Sequence, residues 1–198
     1  MSDDVTVSCQ CGAFQARLRG ADAKNGNHGL CYCADCQAFA RHLGKFGVVT
    51  DAKGGTEIYQ TQPARVEITA GKDQLALLQL APKGLYRWHA KCCNTPICNM
   101  VGNPKISFVG FLVANVAEPK ALGPTRFRYR PEQALEPVTE PSGSMLGFIA
   151  RTVRAIAAER ISGRWKQTPF FGADGRAVVK PYVLNEAERE AAYARKAV

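Results

Sequence analysis

Three cysteines within six residues, Cys31, Cys33 and Cys36, constrain this chain more than any other feature. On an extended strand, residues two apart leave by the same face, so the Cys31 and Cys33 thiols point together. Cys36 follows after Ala34 and Asp35, the two-residue gap of a zinc knuckle, in which the chain turns back on its own ligand. Three converging thiolates suit a soft four-coordinate ion, and zinc is the usual one. A structural zinc site is closed by four protein ligands, whereas a catalytic site keeps one position for water or substrate. The stretch therefore predicts a zinc centre with an open position.

Two other uses of cysteine give a weaker account of the pattern. Eight cysteines could form a disulfide framework, which needs an oxidising compartment. The first residues, Met-Ser-Asp-Asp-Val-Thr-Val-Ser-Cys, include two acids and no apolar core, so no secretory signal is expected and a cytoplasmic location is. A redox CxxC at Cys33–Cys36 would open a helix in a βαβ unit, and no such unit is predicted.

The chain has 198 residues, 46% of them hydrophobic and 22% charged, which fits one soluble domain with additions. No apolar run reaches the length of a membrane span. The net charge of +9 lies mostly in the C-terminal part: residues 120–198 carry 14 basic and 8 acidic side chains, against 12 and 9 before them. Such an excess can draw anions, or it can simply keep a protein soluble.

Alternation predicts a strand from Val5 to Cys11, with Cys9 and Cys11 on one face, then a turn at Gly12 and a second strand from Phe14 to Gly20. Residues 21–30 are expected to form a polar loop with an exposed His28. Gln37 to Leu43 predicts a short helix ended by Gly44, placing Arg41 and His42 near the cysteines. His42 is a candidate proton shuttle, since imidazole titrates near neutral pH. Short strands are expected at Phe46–Val49, Thr56–Gln60, Ala64–Thr69, Leu75–Leu80 and Leu85–Ala90, spacing that favours an all-β domain.

The second cysteine group is Cys92, Cys93 and Cys98. Cys9 and Cys11 need two more ligands for a closed site, and this group can supply them. Adjacent cysteines diverge on a strand, so Cys92 and Cys93 share an ion only across a bend. His89, separated from Cys92 by the two-residue gap of a knuckle, is an alternative ligand, and Cys98 reads as a buried apolar thiol.

Cys9-Gln10-Cys11-Gly12, Cys31-Tyr32-Cys33-Ala34-Asp35-Cys36 and Cys93-Asn94-Thr95-Pro96-Ile97 resemble, in order, the CxCG, CxCxxC and CxxCG[ST] motifs of the glutathione-dependent formaldehyde-activating enzyme (GFA) family. The resemblance covers about residues 5–115 and looks like a bacterial branch of that superfamily. It implies a mainly β fold, the β-tent, with two zinc ions. Cys9 and Cys11 would then join the late pair, Cys92 and Cys93, at a structural ion, while Cys31, Cys33 and Cys36 hold a catalytic one. The implied chemistry is that of a carbon–sulfur lyase acting on a glutathione adduct. The chain departs from the third motif: Ala90 stands where the first cysteine of CxxCG falls, and Asn94 replaces the glycine.

Ser107 to Val116 predicts a long buried strand. Pro119, Pro124, Pro131, Pro137 and Pro141 punctuate residues 119–143 as a linker after a zinc-binding β domain at 1–118. A C-terminal helical extension is expected over 144–198, with a helix from Ser144 to Ile161 that places Leu146, Ile149, Val153 and Ile156 on one stripe. That stripe is expected to pack on the domain or on a second subunit, in preference to a membrane surface. A terminal helix is expected from Asn185 to Lys196. The favoured function is a zinc enzyme whose open position takes a small thiol, with Arg41, Lys83 or Arg87 receiving ligand carboxylates. The alternative is a non-catalytic zinc module that binds a protein or an acidic partner. Nucleic acid is not favoured, because Arg126-Phe127-Arg128-Tyr129-Arg130 is the only run that mixes arginines with aromatics and it reads equally as a solvated edge strand.

Overall fold

Strict alternation makes a hairpin of Val5–Ser8 (β1) and Gln15–Leu18 (β2): Phe14, Ala16 and Leu18 point into the core while Gln15 and Arg17 face water. The computed structural model describes residues 4–194, so Met1 to Asp3 and the end of the expected terminal helix at Lys196 lie outside the described residues. The hairpin pairs with Val66–Ala70 (β5) as a three-stranded antiparallel sheet.

A second sheet has eight strands: Asn27–Cys31 (β3), Thr56–Thr61 (β4), Leu75–Gln79 (β6), Tyr86–Ala90 (β7), Thr95–Met100 (β8), Val109–Leu112 (β9), Phe127–Tyr129 (β10) and Tyr182–Val183 (β11). Its order is β10-β3-β4-β9-β8-β7-β6-β11. The inner pairs are antiparallel and the two outermost strands pair in parallel. The protein is therefore mainly β, with two sheets and four α-helices among the described residues: Ala34–His42 (α1), Phe46–Val49 (α2), Met145–Ile161 (α3) and Glu186–Tyr193 (α4). Trp88, Phe111, Tyr59, Phe14 and Ile97 fill the main core. Each such buried side chain contributes roughly 1.5–3 kcal/mol.

Several expectations need correction. Phe46–Val49 is a single helical turn, not a strand, because Lys45 and Phe46 carbonyls capture the amides of Val49 and Thr50. The predicted strand from Ser107 shrinks to β9, with a 3-10 turn at Val113–Asn115. The polar loop ends early, since β3 starts at Asn27, and His28 is buried rather than exposed. Residues 119–143 are not a bare linker. Within them β10 seals the β3 edge, and β11, from the tail, seals the β6 edge, so both exposed edges of the large sheet are covered by later chain.

Of the α3 stripe only Ile156 is half-buried on the domain, and the other three side chains are left for solvent or a second subunit. Leu146 is 80% exposed, Val153 58% and Ile149 47%. What holds α3 is Phe148, stacked 4.9 Å from Phe127, and Thr152, whose hydroxyl bonds Asn27 (2.9 Å) and Gln60 (3.1 Å). Helical spacing identified the helix but not the face it turns inward, which one aromatic and one hydroxyl decide. No helix among the described residues is long and apolar enough to cross a membrane.

His28 pins the 119–126 segment. Its Nδ1 lies 2.7 Å from the Gly123 carbonyl and its Nε2 lies 2.8 Å from Glu57 Oε1. Burial lowers the His28 pKa, but Glu57 and the Gly123 carbonyl outweigh it and hold the pKa above 6.5; the His28 contact in turn holds Glu57 below 4.5 against partial burial. A raised histidine stabilises most below its unfolded pKa, and a lowered carboxylate stabilises above its own. Glu57→Gln is thus expected to cost about 1 kcal/mol, Glu57 being partly exposed. The loss should be greatest between pH 4.5 and 6.5 and should shrink as the pH moves to either side, measured by urea unfolding across pH.

Candidate metal centres and the adjoining cavity

The hairpin loop after β1 forms the first centre. The Gly12 amide returns to the Cys9 carbonyl (2.9 Å), with Gly12 at φ 78, and the Phe14 amide donates to Cys9 Sγ (3.2 Å). Cys9 and Cys11 thus leave the strand and converge in the turn, not on a strand face. Cys92 and Cys93 arrive from the β7–β8 turn. Asn94 there has φ 54, a left-handed conformation that asparagine tolerates better than most side chains. This is the bend that lets adjacent cysteines aim at one point.

Cys92 Sγ lies 3.3 Å from Cys11, 3.7 Å from Cys9 and 3.8 Å from Cys93, and Cys9 and Cys11 are 3.5 Å apart. A tetrahedral ion with zinc–sulfur bonds near 2.3 Å spaces its sulfurs by about 3.8 Å. The four cysteines fit such an ion, and all eight cysteines of the chain are free thiols. Thr95 joins the two loops, accepting from the Gln10 amide (3.1 Å) and lying 3.0 Å from Cys93 Sγ. Burial raises the Cys93 thiol, but hydrogen bonds from Thr95 and Cys11 outweigh that and bring it down to about 6. Burial and the three neighbouring sulfurs push Cys92 up to about 12. His89 does not join the group: its pKa falls to about 4, chiefly through burial and then through His42.

Cys31, Cys33 and Cys36 form the second centre, their sulfurs within 4.8 Å of one another. Cys31 ends β3, Cys33 caps α1 and Cys36 lies in its first turn; Cys31 and Cys33 sulfurs are 3.3 Å apart. Cys31 and the Cys36 amide, which points at Cys33 Sγ (3.4 Å), both favour the Cys33 thiolate, but the Cys36 sulfur and burial outweigh them and push Cys33 up to about 11. Hydrogen bonds from Cys31 and Cys33, and then the Arg87 guanidinium, hold Cys36 well below the usual thiol range against burial. Arg87, 1% exposed, places Nη1 4.0 Å from Cys36 Sγ and 3.3 Å from Asn99 Oδ1, and Nη2 3.4 Å from Asp35. Among the described residues no histidine, cysteine or acid supplies a fourth ligand atom to this group. Cys98, the buried thiol, lies in the main core with its pKa pushed well up by burial.

The three cysteines line one end of a cavity of about 450 Å³, whose walls include Leu30, Ile58, Phe108, Phe127, Tyr129 and Phe148. Of the four side chains proposed to act beside the metal, only Arg87 lines it, and its guanidinium is engaged by Asp35, Asn99 and Cys36. Arg41 instead binds Gln37 (2.9 Å) and covers the Phe46 ring (4.3 Å). Lys83 sits in the β6–β7 turn at φ 64, away from the cavity lining, and the charge of His42 is felt by His89 and Glu188. Nearness in sequence is not nearness to the cavity here: Arg41 is spent on Gln37 and Phe46, and neither it nor His42 lines the cavity.

The sequence reading missed the supports from the late chain. The Gln133 side chain accepts from the Ala34 amide (2.8 Å), its carbonyl accepts from Gln37 (2.9 Å), and the Tyr193 hydroxyl donates to Asp35 (2.7 Å). The signals near them were the arginine–aromatic run at 126–130, within which Phe127–Tyr129 is β10, and the expected terminal helix, in which α4 carries Tyr193.

Fold and centres together define a mainly β protein with two cysteine groups able to hold metal ions. The chain belongs to a family described as a family of unknown function (DUF6151), which it matches over residues 1–179. It is similar to a crystal structure of a Rhodobacter sphaeroides protein at 18% identity and a TM-score of 0.41, over 63% of this chain and 98% of that one. No curated protein matches it.

Proposed function

We propose that the protein is a two-zinc enzyme of the GFA type, with a β-tent fold, that makes or breaks a carbon–sulfur bond on a glutathione-like thiol adduct. The observation that carries this reading is the contrast between the centres: four cysteines close one, while three cysteines face a cavity of about 450 Å³. Zinc held by Cys31, Cys33 and Cys36 would stabilise a substrate thiolate or polarise a carbonyl. The chain's own part is to keep Cys36 deprotonated through Arg87, to fix Cys33 at the α1 cap and to exclude water with Leu30, Ile58 and Phe108.

Zinc content on wild type and Cys33→Ser tests this. Two ions per chain should fall to one with the circular dichroism unchanged, and glutathione should perturb only the site lost in the variant. One ion or none in the wild type would overturn the two-centre reading. Two ions indifferent to every thiol would favour the non-catalytic module, for which the exposed Leu146, Ile149 and Val153 face of α3 speaks.

A further inference from the structure

A second chamber, of about 340 Å³, lies between α3 and the loop before β3. Lys24, Arg65, Arg151, Arg154 and Arg164 line it, against one acid, Glu159. That acid is spoken for: Arg164 reaches Glu159 Oε1 at 2.6 Å. Arg65 meets only neutral acceptors, Gln62 (3.1 Å), the Arg19 carbonyl (3.3 Å) and Asn25 (3.4 Å). Among the described residues no carboxylate forms an ion pair with Arg65, Arg151 or Arg154. Asp22 feels Lys24 and Arg65 from outside the lining, but its carboxylate is taken by the amides of Lys24 and Asn25, 2.7 Å each.

A cleft that gathers unbalanced cations focuses their field and concentrates anions. The guanidinium fork suits phosphate oxygens, which it binds two at a time. Glu159 is 3% exposed and its Oε2 is sealed from solvent, so the one acid in the lining presents no free carboxylate oxygen against the cations.

Asn27, Gln60 and Phe108 line both this chamber and the cysteine cavity. The Asn27–Thr152–Gln60 hydrogen bonds form the sill between them. From Asn27 to Cys31 runs one strand, about 13 Å at the usual rise per residue.

We propose that the chamber binds the phosphate of a phosphate ester and anchors an elongated substrate whose other end reaches Cys31, Cys33 and Cys36. The anchoring stands on the chamber alone; the destination rests on the proposed function above.

Glycerol phosphate and glutarate, titrated calorimetrically into the zinc-loaded full chain at low salt, test the anchor. Glycerol phosphate should bind more tightly than glutarate. Arg154→Gln should weaken it about tenfold or more, the worth of one charged hydrogen bond. Arg176→Gln, a loss of charge at an exposed site outside the chamber, and Cys33→Ser should leave it unchanged. No saturable binding, tighter binding of glutarate, or equal losses in the Arg154 and Arg176 variants would each overturn the anchor. A loss in Cys33→Ser alone would place the anion on the metal and overturn it too.

The reach is tested on cobalt-loaded protein with a mercaptoalkyl phosphate long enough to span the groove. It should alter the cobalt absorption at lower concentration than the same alkyl thiol without phosphate, and Arg154→Gln should erase that advantage. If the two thiols act alike, the chamber does not anchor the substrate. If neither acts while glycerol phosphate still binds, the thiol-enzyme reading fails and the anion site stands.

Discussion

Cys92→Ser is expected to remove one metal ion and to destabilise the fold by about 4 kcal/mol or more. Cys92 Sγ lies 3.3–3.8 Å from each of the other three sulfurs of its centre. That centre ties the β1–β2 loop to the β7–β8 turn, which belongs to the other sheet. An ion there therefore fastens sheet to sheet, and its binding free energy is folding free energy. Without the ion, the crowding of sulfurs that pushes the Cys92 thiol up to about 12 has no metal charge to offset it. Chelation of the wild type should reproduce the loss, and denaturant unfolding with metal analysis measures both. Cys98→Ala is the control: a fully buried thiol in the core, it should cost about 1 kcal/mol and keep both ions. A Cys92→Ser protein with two ions and stability within 1 kcal/mol of wild type would refute the fastening role.

The two cysteine groups were legible in the sequence because knuckle spacing is a local code: Cys9 with Cys11, and Cys31 with Cys33 and Cys36, are gathered by a turn or a helix start that few residues specify. Even Cys92 beside Cys93, awkward on a strand, resolves through the single left-handed residue Asn94. Strands with clean alternation, such as Gln15–Leu18, were equally readable. What escaped the sequence was non-local. The inner face of α3 is chosen by Phe148 and Thr152 against partners more than 20 residues away, not by its most apolar stripe. The strand β11 is too short to announce itself, and β10, readable as an edge strand at 126–130, gave no sign of its neighbour; only the open edges of a sheet give them their places. His28 looked exposed in a polar stretch because its partners, Glu57 and Gly123, come from elsewhere in the chain.

The same distinction governs Arg87, whose partners Asp35, Cys36 and Asn99 come from two other elements. Three thiolates on a divalent ion leave one net negative charge, and Cys36 is buried. Burying that charge unpaired is costly. Arg87 supplies the balancing charge at 4.0 Å, held by Asp35, which Tyr193 of α4 steadies in turn. Arg87→Met keeps an apolar side chain in the buried position and deletes the guanidinium, whose carbon lies 5.4 Å from the Phe39 ring centroid. It is expected to weaken metal binding at the three-cysteine centre about 10- to 100-fold and to leave the four-cysteine centre untouched. The direction with pH follows from the cause. Removing a cation raises the thiol pKa, so protons displace the ion at a higher pH than in the wild type. Arg87→Lys retains the charge without the fork and should recover much of the affinity. Competitive chelator titrations on the three proteins separate charge from packing: equal affinities for the Met and Lys variants would mean that Arg87 acts through shape, and the electrostatic account of the centre would fall.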